Sequence, residues 1–141
     1  METARTTRDA IPTAPAARTG RGLHSALWVA QILLALAFGA AGIMHGVGPI
    51  PDVLPLPPAL VRFIGLSEFA GALDMVLPAA SRIKPGLTPS AAIGLTIVMG
   101  LAAIFHLTRG EFASLPVNFA LGGLAAFVAW GRLRKAPIAS R

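Results

Sequence analysis

From Leu23 to Pro51 the chain carries no charged side chain, and neither do Thr88 to Leu107 or Ser114 to Trp130. A helix needs about 20 mainly apolar residues, at about 1.5 Å each, to cross the hydrocarbon core of a bilayer. These runs meet that length. Water-soluble domains are about one quarter charged, because charge covers their surface. Here charged residues are 13% of 141 and hydrophobic residues 55%. The middle of the chain cannot supply a solvated surface, and a bilayer removes the need for one. The predicted fold class is all-α: a four-transmembrane-helix bundle behind a disordered N-terminal tail.

The helices are placed by punctuation as much as by hydropathy. Residues 1–22, rich in Thr, Ala, Pro and Arg and without period, predict a disordered cytoplasmic tail. The first helix is expected at about 23–45. Its apolar run exceeds the usual core of about 7–15 residues in a secretory signal. Pro49, Pro51, Pro55, Pro57 and Pro58 forbid a continuing helix and mark a loop. The second helix, about 59–77, carries Arg62, Glu68 and Asp74 and is expected to stop at Pro78. The third, about 88–107, opens on Thr88 as N-cap with Pro89 in the first turn and stops near Gly110. The fourth, about 114–131, is capped by Ser114 and closed by Arg132, Arg134 and Lys135, cations suited to the negative end of a helix. Residues 136–141 read as a short loose cytoplasmic tail. The transmembrane domain thus spans 23–135.

Charge orients such a bundle, because Lys and Arg near helix ends favour the cytoplasmic side. With four crossings, Arg5, Arg8, Arg18, Arg21, Arg82, Lys84, Arg132, Arg134, Lys135 and Arg141 share one side; these are ten of the twelve basic residues. Trp28 and Trp130 fall at the same interface. The expectation is a multi-pass protein of the cell membrane with both termini cytoplasmic. The net charge of +6 is therefore accounted for by orientation. No basic stripe interleaved with aromatics is present, which argues against nucleic acid as a partner. The absence of cysteine excludes disulfides and thiolate chemistry.

This topology brings polar side chains from all four helices to the outer half of the bundle: His45, Arg62, Glu68, His106, Arg109, Glu111 and Asn118. A carboxylate inside a membrane helix is expensive unless paired or protonated. Glu68 therefore has two open readings. It can lock helix register by pairing with His106 or Arg109, or it can work with His106 as an acid/base pair. Arg62 and Arg109 read as interfacial anchors or as partners of Glu68 and Glu111, and Asn118 as an interhelical hydrogen bond. Nearer the cytoplasm, Gln31 shares a face with His45. If that face is the bundle interior, Gln31 can bond Asp74, and a polar track from Glu68 to Asp74 would carry protons, whereas the favoured reading pairs Asp74 with Arg82 or Lys84 near the inner headgroups. His45, His106 and Glu68 are a possible ligand set by type, but no two share a helical i, i+3 or i, i+4 spacing, so no metal is expected. Small residues such as Gly39, Gly42, Gly65, Gly71, Gly100 and Gly122 let membrane helices approach closely. No phosphate-binding loop, dinucleotide fingerprint or hydrolase motif occurs.

Three stretches resemble the DoxX-like family of small membrane proteins: Ile64–Pro78 (IGLSEFAGALDMVLP), Leu87–Glu111 (LTPSAAIGLTIVMGLAAIFHLTRGE) and Pro116–Leu133 (PVNFALGGLAAFVAWGRL). The carrying features are an acidic residue before a Gly in helix two, the Leu-Thr-Pro start of helix three, its final His, and the Asn opening helix four. The resemblance implies a four-helix bundle in which Glu68, His106 and Asn118 form the polar core. Relatives are tied to quinone-linked sulfur oxidation and to membrane oxidative-stress complexes. The family's first helix often ends in Lys, where this chain has His45. Three functions stay open. One is binding of a lipophilic small molecule, quinone-like, or service as an accessory subunit docking a redox partner protein. Another is a membrane enzyme, of isomerase or epoxide-opening type, using Glu68 and His106. The third is a purely structural or assembly protein. Self-association into a homo-oligomer is compatible with each.

Overall fold

The three uncharged stretches and the charged second segment all become helices that stand side by side. The computed structural model of the protein describes residues 20–50 and 55–141. Most of the expected tail, residues 1–19, lies outside the described residues, as do positions 51–54 of the Pro-rich loop. The helices are α1 (Arg21–Val47), α2 (Pro58–Ser81), α3 (Leu87–Thr108) and α4 (Leu115–Trp130). A 3-10 turn, Phe112–Ser114, leads into α4, and a π-turn, Gly131–Lys135, extends it. Consecutive helices are antiparallel: Gly42 of α1 abuts Gly65 and Phe69 of α2, whereas Gln31, three turns earlier in α1, reaches Met75. Each helix touches its two neighbours, and α1 meets α4 to close a ring. Among the described residues neither diagonal pair is in contact.

Inward-facing residues recur every three or four positions. They are Leu27, Ala30, Gln31, Leu34, Phe38 and Gly42 in α1, and Val61, Gly65, Glu68, Ala72 and Met75 in α2. In α3 they are Thr88, Ala92, Leu95, Met99 and Ala103. The outward faces are just as apolar: Leu36, Met44, Phe63, Leu66, Ile97, Leu101, Phe119 and Leu133 are exposed. In water those positions would be polar. Three segments are long and apolar enough to cross a membrane: Arg21–Val47, Leu87–Thr108 and the continuous Phe112–Lys135. The other helix, α2, has 24 residues, about 36 Å at the helical rise, but carries Arg62, Glu68 and Asp74.

Pro78 does not end α2. The helix runs through it to Ser81 and stops where Arg82 takes left-handed backbone, with φ of 59°. Pro78 has no N–H for the carbonyl of Asp74, four residues earlier. The Thr88 hydroxyl replaces it, donating to the Asp74 carbonyl at 3.1 Å. Thr88 is therefore not the N-cap of α3; Gly86 holds that position, and no side chain caps it. The neighbouring Met75 carbonyl accepts from Gln31 Nε2 at 2.6 Å. A proline inside α2 is thus tolerated because two other helices bond the carbonyls around it. At the other end α3 stops as expected. Gly110 has φ of 69°, and Glu111 N–H and Gly110 N–H bond the carbonyls of His106 and Leu107, a Schellman closure. Ser114 precedes α4 but makes no side-chain cap bond. The expected loose tail folds back instead: Ala136 is buried, and the Arg141 amide donates to the Arg82 carbonyl at 3.2 Å.

The α1–α2 contact is made backbone to backbone. A methyl group at Gly42 would stand 2.6 Å from the Phe69 nitrogen and 2.8 Å from the Gly65 oxygen. One at Gly65 would meet the Gly46 nitrogen and stand 2.6 Å from the His45 carbonyl carbon. At Gly100 it would meet nothing. Gly42→Ala and Gly65→Ala are expected to cost about 1–3 kcal/mol through overpacking. Gly100→Ala should be neutral or stabilising by up to about 1 kcal/mol. Unfolding free energies in detergent micelles check the contrast. In the same assay Thr88→Val should cost about 0.5–1.5 kcal/mol. Most of that cost should disappear in a Pro78→Ala background, where residue 78 regains the N–H that Asp74 needs.

Candidate functional site

Two polar centres occupy opposite ends of the bundle. The first lies where α1 finishes and α2 begins. Glu68 sits on the inward stripe of α2 because residues 61, 65, 68, 72 and 75 share that face. Its side chain is 5% exposed, and its Oε2 lies 2.7 Å from Nδ1 of His45, whose side chain is 47% exposed. A buried carboxyl thus communicates with the outside through one imidazole. The proton between them belongs to either partner according to the His tautomer. Arg62 does not pair with Glu68. Its Nη1 donates to the carbonyls of His45 at 3.2 Å and Gly48 at 2.7 Å, closing the C-terminus of α1.

Beside this pair runs a groove between α1 and α2, with a cavity volume of about 420 Å³. Gly42, Gly46 and Gly65 form its floor; Ile43, Val47, Leu66 and Phe69 form its walls; Arg62 is its one charged lining residue. Gly46 helps keep it open, because a side chain added there would project into free space. It lies in the size range of small-molecule sites, about 300–1,000 Å³.

His106 and Arg109 form a separate cluster at the same end. His106 Nδ1 lies 2.7 Å from Glu111 Oε2, and Arg109 Nε donates to Glu111 Oε1 at 2.6 Å. The Arg109 guanidinium also stands 5.5 Å from the Phe105 ring centre. The expected partnership of Glu68 with His106 or Arg109 is therefore not what forms. Glu68 takes His45, while His106 and Arg109 both take Glu111, which the short α3–α4 connection holds next to them. Asn118, on the inner face of α4, is 8% exposed. Its Nδ2 has no hydrogen-bond partner among the described residues, where an interhelical bond was expected.

The second centre is at the other end. Gln31 was a candidate to bond the Asp74 side chain; instead it donates to the Met75 carbonyl and accepts from Arg132 Nε at 2.7 Å. Arg132 is 3% exposed. Its Nη1 reaches the Ala136 carbonyl at 3.4 Å, and its guanidinium stands 5.5 Å from the Trp28 ring centre. The sequence reading placed Arg132 among the cations of the helix end. The available signal was the stripe itself: stepping three and four residues from Ala125 through Val128 reaches Arg132. Among the described residues no group of three His, Asp or Glu side chains is placed to hold a metal.

A ring of four antiparallel helices, apolar inside and outside with polar groups confined to its ends, is the architecture of a small integral membrane protein. The chain belongs to the DoxX-like family, whose sequence model matches residues 29–128. No curated protein and no solved structure matches it. The matched span contains the His45–Glu68 pair, the groove, and the His106–Glu111 cluster.

The Arg109 guanidinium and, after it, the His106 imidazole hold the Glu111 carboxyl below its ordinary value of 4.5. A folded-state value below the unfolded one makes this carboxylate stabilising above about pH 4.5, an effect lost as pH falls through the folded value. Wild type should therefore lose more thermal stability than Glu111→Gln between pH 5.5 and pH 3. Melting curves of the two proteins in detergent give the comparison.

Proposed function

We infer that this DoxX-like protein sits in the cell membrane with both termini cytoplasmic. There it binds a lipophilic small molecule with a hydrogen-bonding head, of quinone-like type, and serves as an accessory subunit of a membrane redox system. One observation carries the reading: a buried carboxyl, Glu68, is bonded to a half-exposed His45 beside an apolar groove. Burying a carboxyl among apolar helices is costly and is met in membrane proteins chiefly at functional sites. A His–carboxyl pair can give or take a proton at its free ring nitrogen. His45 Nε2 is that nitrogen, because Nδ1 is committed to Glu68. Head and tail of the ligand are thus served by adjacent parts of α1. The acid/base pairing of Glu68 with His106 draws less support, because each of the two has a different partner.

Native mass spectrometry of gently purified protein, with organic extraction of its contents, tests the binding. Wild type should carry a lipophilic compound near one per chain. Gly46→Leu should lose it: a side chain added at Gly46 points into open space and would fill the groove. Protein carrying only bulk phospholipid in both forms would end the proposal. Orientation is tested separately. With no native cysteine, Ser81→Cys and Ser114→Cys report cleanly on opposite ends. In intact cells an impermeant maleimide should label Ser114→Cys and spare Ser81→Cys.

A further inference from the structure

Arg62 is held in an unusual manner for a membrane-helix cation. It forms no ion pair among the described residues. Instead, both of its hydrogen bonds leave from one nitrogen, Nη1, and end on the backbone carbonyls of His45 and Gly48. The nearest carboxyl on its own inward stripe, Glu68, is committed to His45. A guanidinium has five N–H donors in a rigid planar fork. Anchoring Nη1 leaves the opposite edge, Nε–H and Nη2–H, without an acceptor among the described residues. That edge is the one matched to the two oxygens of a carboxylate. Because the anchoring bonds end on the helix terminus, the fork is fixed relative to the groove that Arg62 lines.

The groove supplies the other half of the recognition. Its floor and walls are Gly42, Gly46, Gly65, Ile43, Leu66 and Phe69, all apolar. We propose that the site takes a lipophilic carboxylate: a single apolar tail laid along the α1–α2 groove, with its carboxylate gripped side-on by Nε and Nη2 of Arg62. This rests on the groove being the ligand site inferred above, and it specifies the hydrogen-bonding head as an anionic carboxylate. His45 stands next to the same head and can donate a further hydrogen bond from Nε2. No covalent step is involved. The counter-charge that Arg62 lacks among the described residues is supplied by the ligand.

Paired probes that differ only in charge test this. Oleate and its neutral carboxamide, oleamide, are titrated into purified wild type in neutral maltoside detergent, and one-to-one complexes are counted by native mass spectrometry. Decylubiquinone is the neutral quinone comparison. Oleate should bind about tenfold or more tighter than oleamide, the difference expected for one charge-assisted bidentate pair. Arg62→Gln should level the two probes. Arg62→Lys, which keeps the charge without the fork, should retain a reduced preference, and Gly46→Leu should weaken both probes together. Equal affinity of oleate and oleamide for wild type overturns the proposal without needing any variant to fold. If decylubiquinone binds in that case and Gly46→Leu abolishes it, the groove stands as a neutral-ligand site. If none of the probes binds, both the carboxylate and the groove fall. Displacement of oleate by phosphatidylglycerol at one per chain would overturn the single-tail assignment in favour of a lipid headgroup.

Discussion

The backbone contact between α1 and α2 governs the rest of this molecule. Lipid tails are as apolar as leucine, so burial of apolar surface does little to join helices in a bilayer, and close packing has to do it. Gly42 and Gly65 remove the side chains that would separate the two helices. The resulting approach brings His45 within 2.7 Å of Glu68 and lets Arg62 reach the last carbonyls of α1. Between them Gly46, with no side chain to project into the free space there, leaves the groove open. Packing and site are therefore one feature, and a methyl group added at the contact would disturb both.

The two ends of the bundle solve the problem of polar groups in different ways. At the Arg132 end, Pro78 opens a gap in the α2 hydrogen-bond ladder. Thr88 and Gln31 fill the gap and its surroundings, and Gln31 passes the connection on to Arg132. The network joins α2 to α1 and α3, and the end of α4 to α1, although the buried Arg132 Nη2 has no partner among the described residues. At the His45 end the polar groups pair mostly within sequence neighbours, as in His106–Arg109–Glu111, or across the single α1–α2 seam. The consequence is a tied end and a more open one, and the open one carries the exposed imidazole and the groove. Asn118, with a buried amide nitrogen lacking a partner among the described residues, belongs to the open end as well.

Much of this architecture is legible in the residues alone. Three uncharged runs of membrane length, and a fourth apolar segment bounded by prolines that carries Arg62, Glu68 and Asp74, give the number and order of helices. Gly110 gives the end of α3, because few other residues adopt its left-handed backbone. The residues of the polar end are also legible as a set, since topology alone brings them to one side. Their pairing is not legible. Glu68 has several possible partners of suitable chemistry. Hydropathy cannot choose among them, because the choice depends on rotation of each helix about its axis and on a few ångströms of axial offset. The same limit hid Arg132. A cation at a helix end satisfies every sequence rule whether it faces water or folds back onto Gln31.

The sequence by itself determined that this chain is a bundle of apolar helices for a membrane, because composition and run length depend only on solvent preference and helical rise. It also determined which residues are chemically able to form a site. Only the tertiary structure decided that Glu68 belongs to His45, that Pro78 lies within a helix, and that glycines open a groove beside Arg62. Those outcomes turn on contacts between segments far apart in the chain. Hydrogen bonds form or fail within a few tenths of an ångström, a precision that no pattern along one strand of sequence encodes.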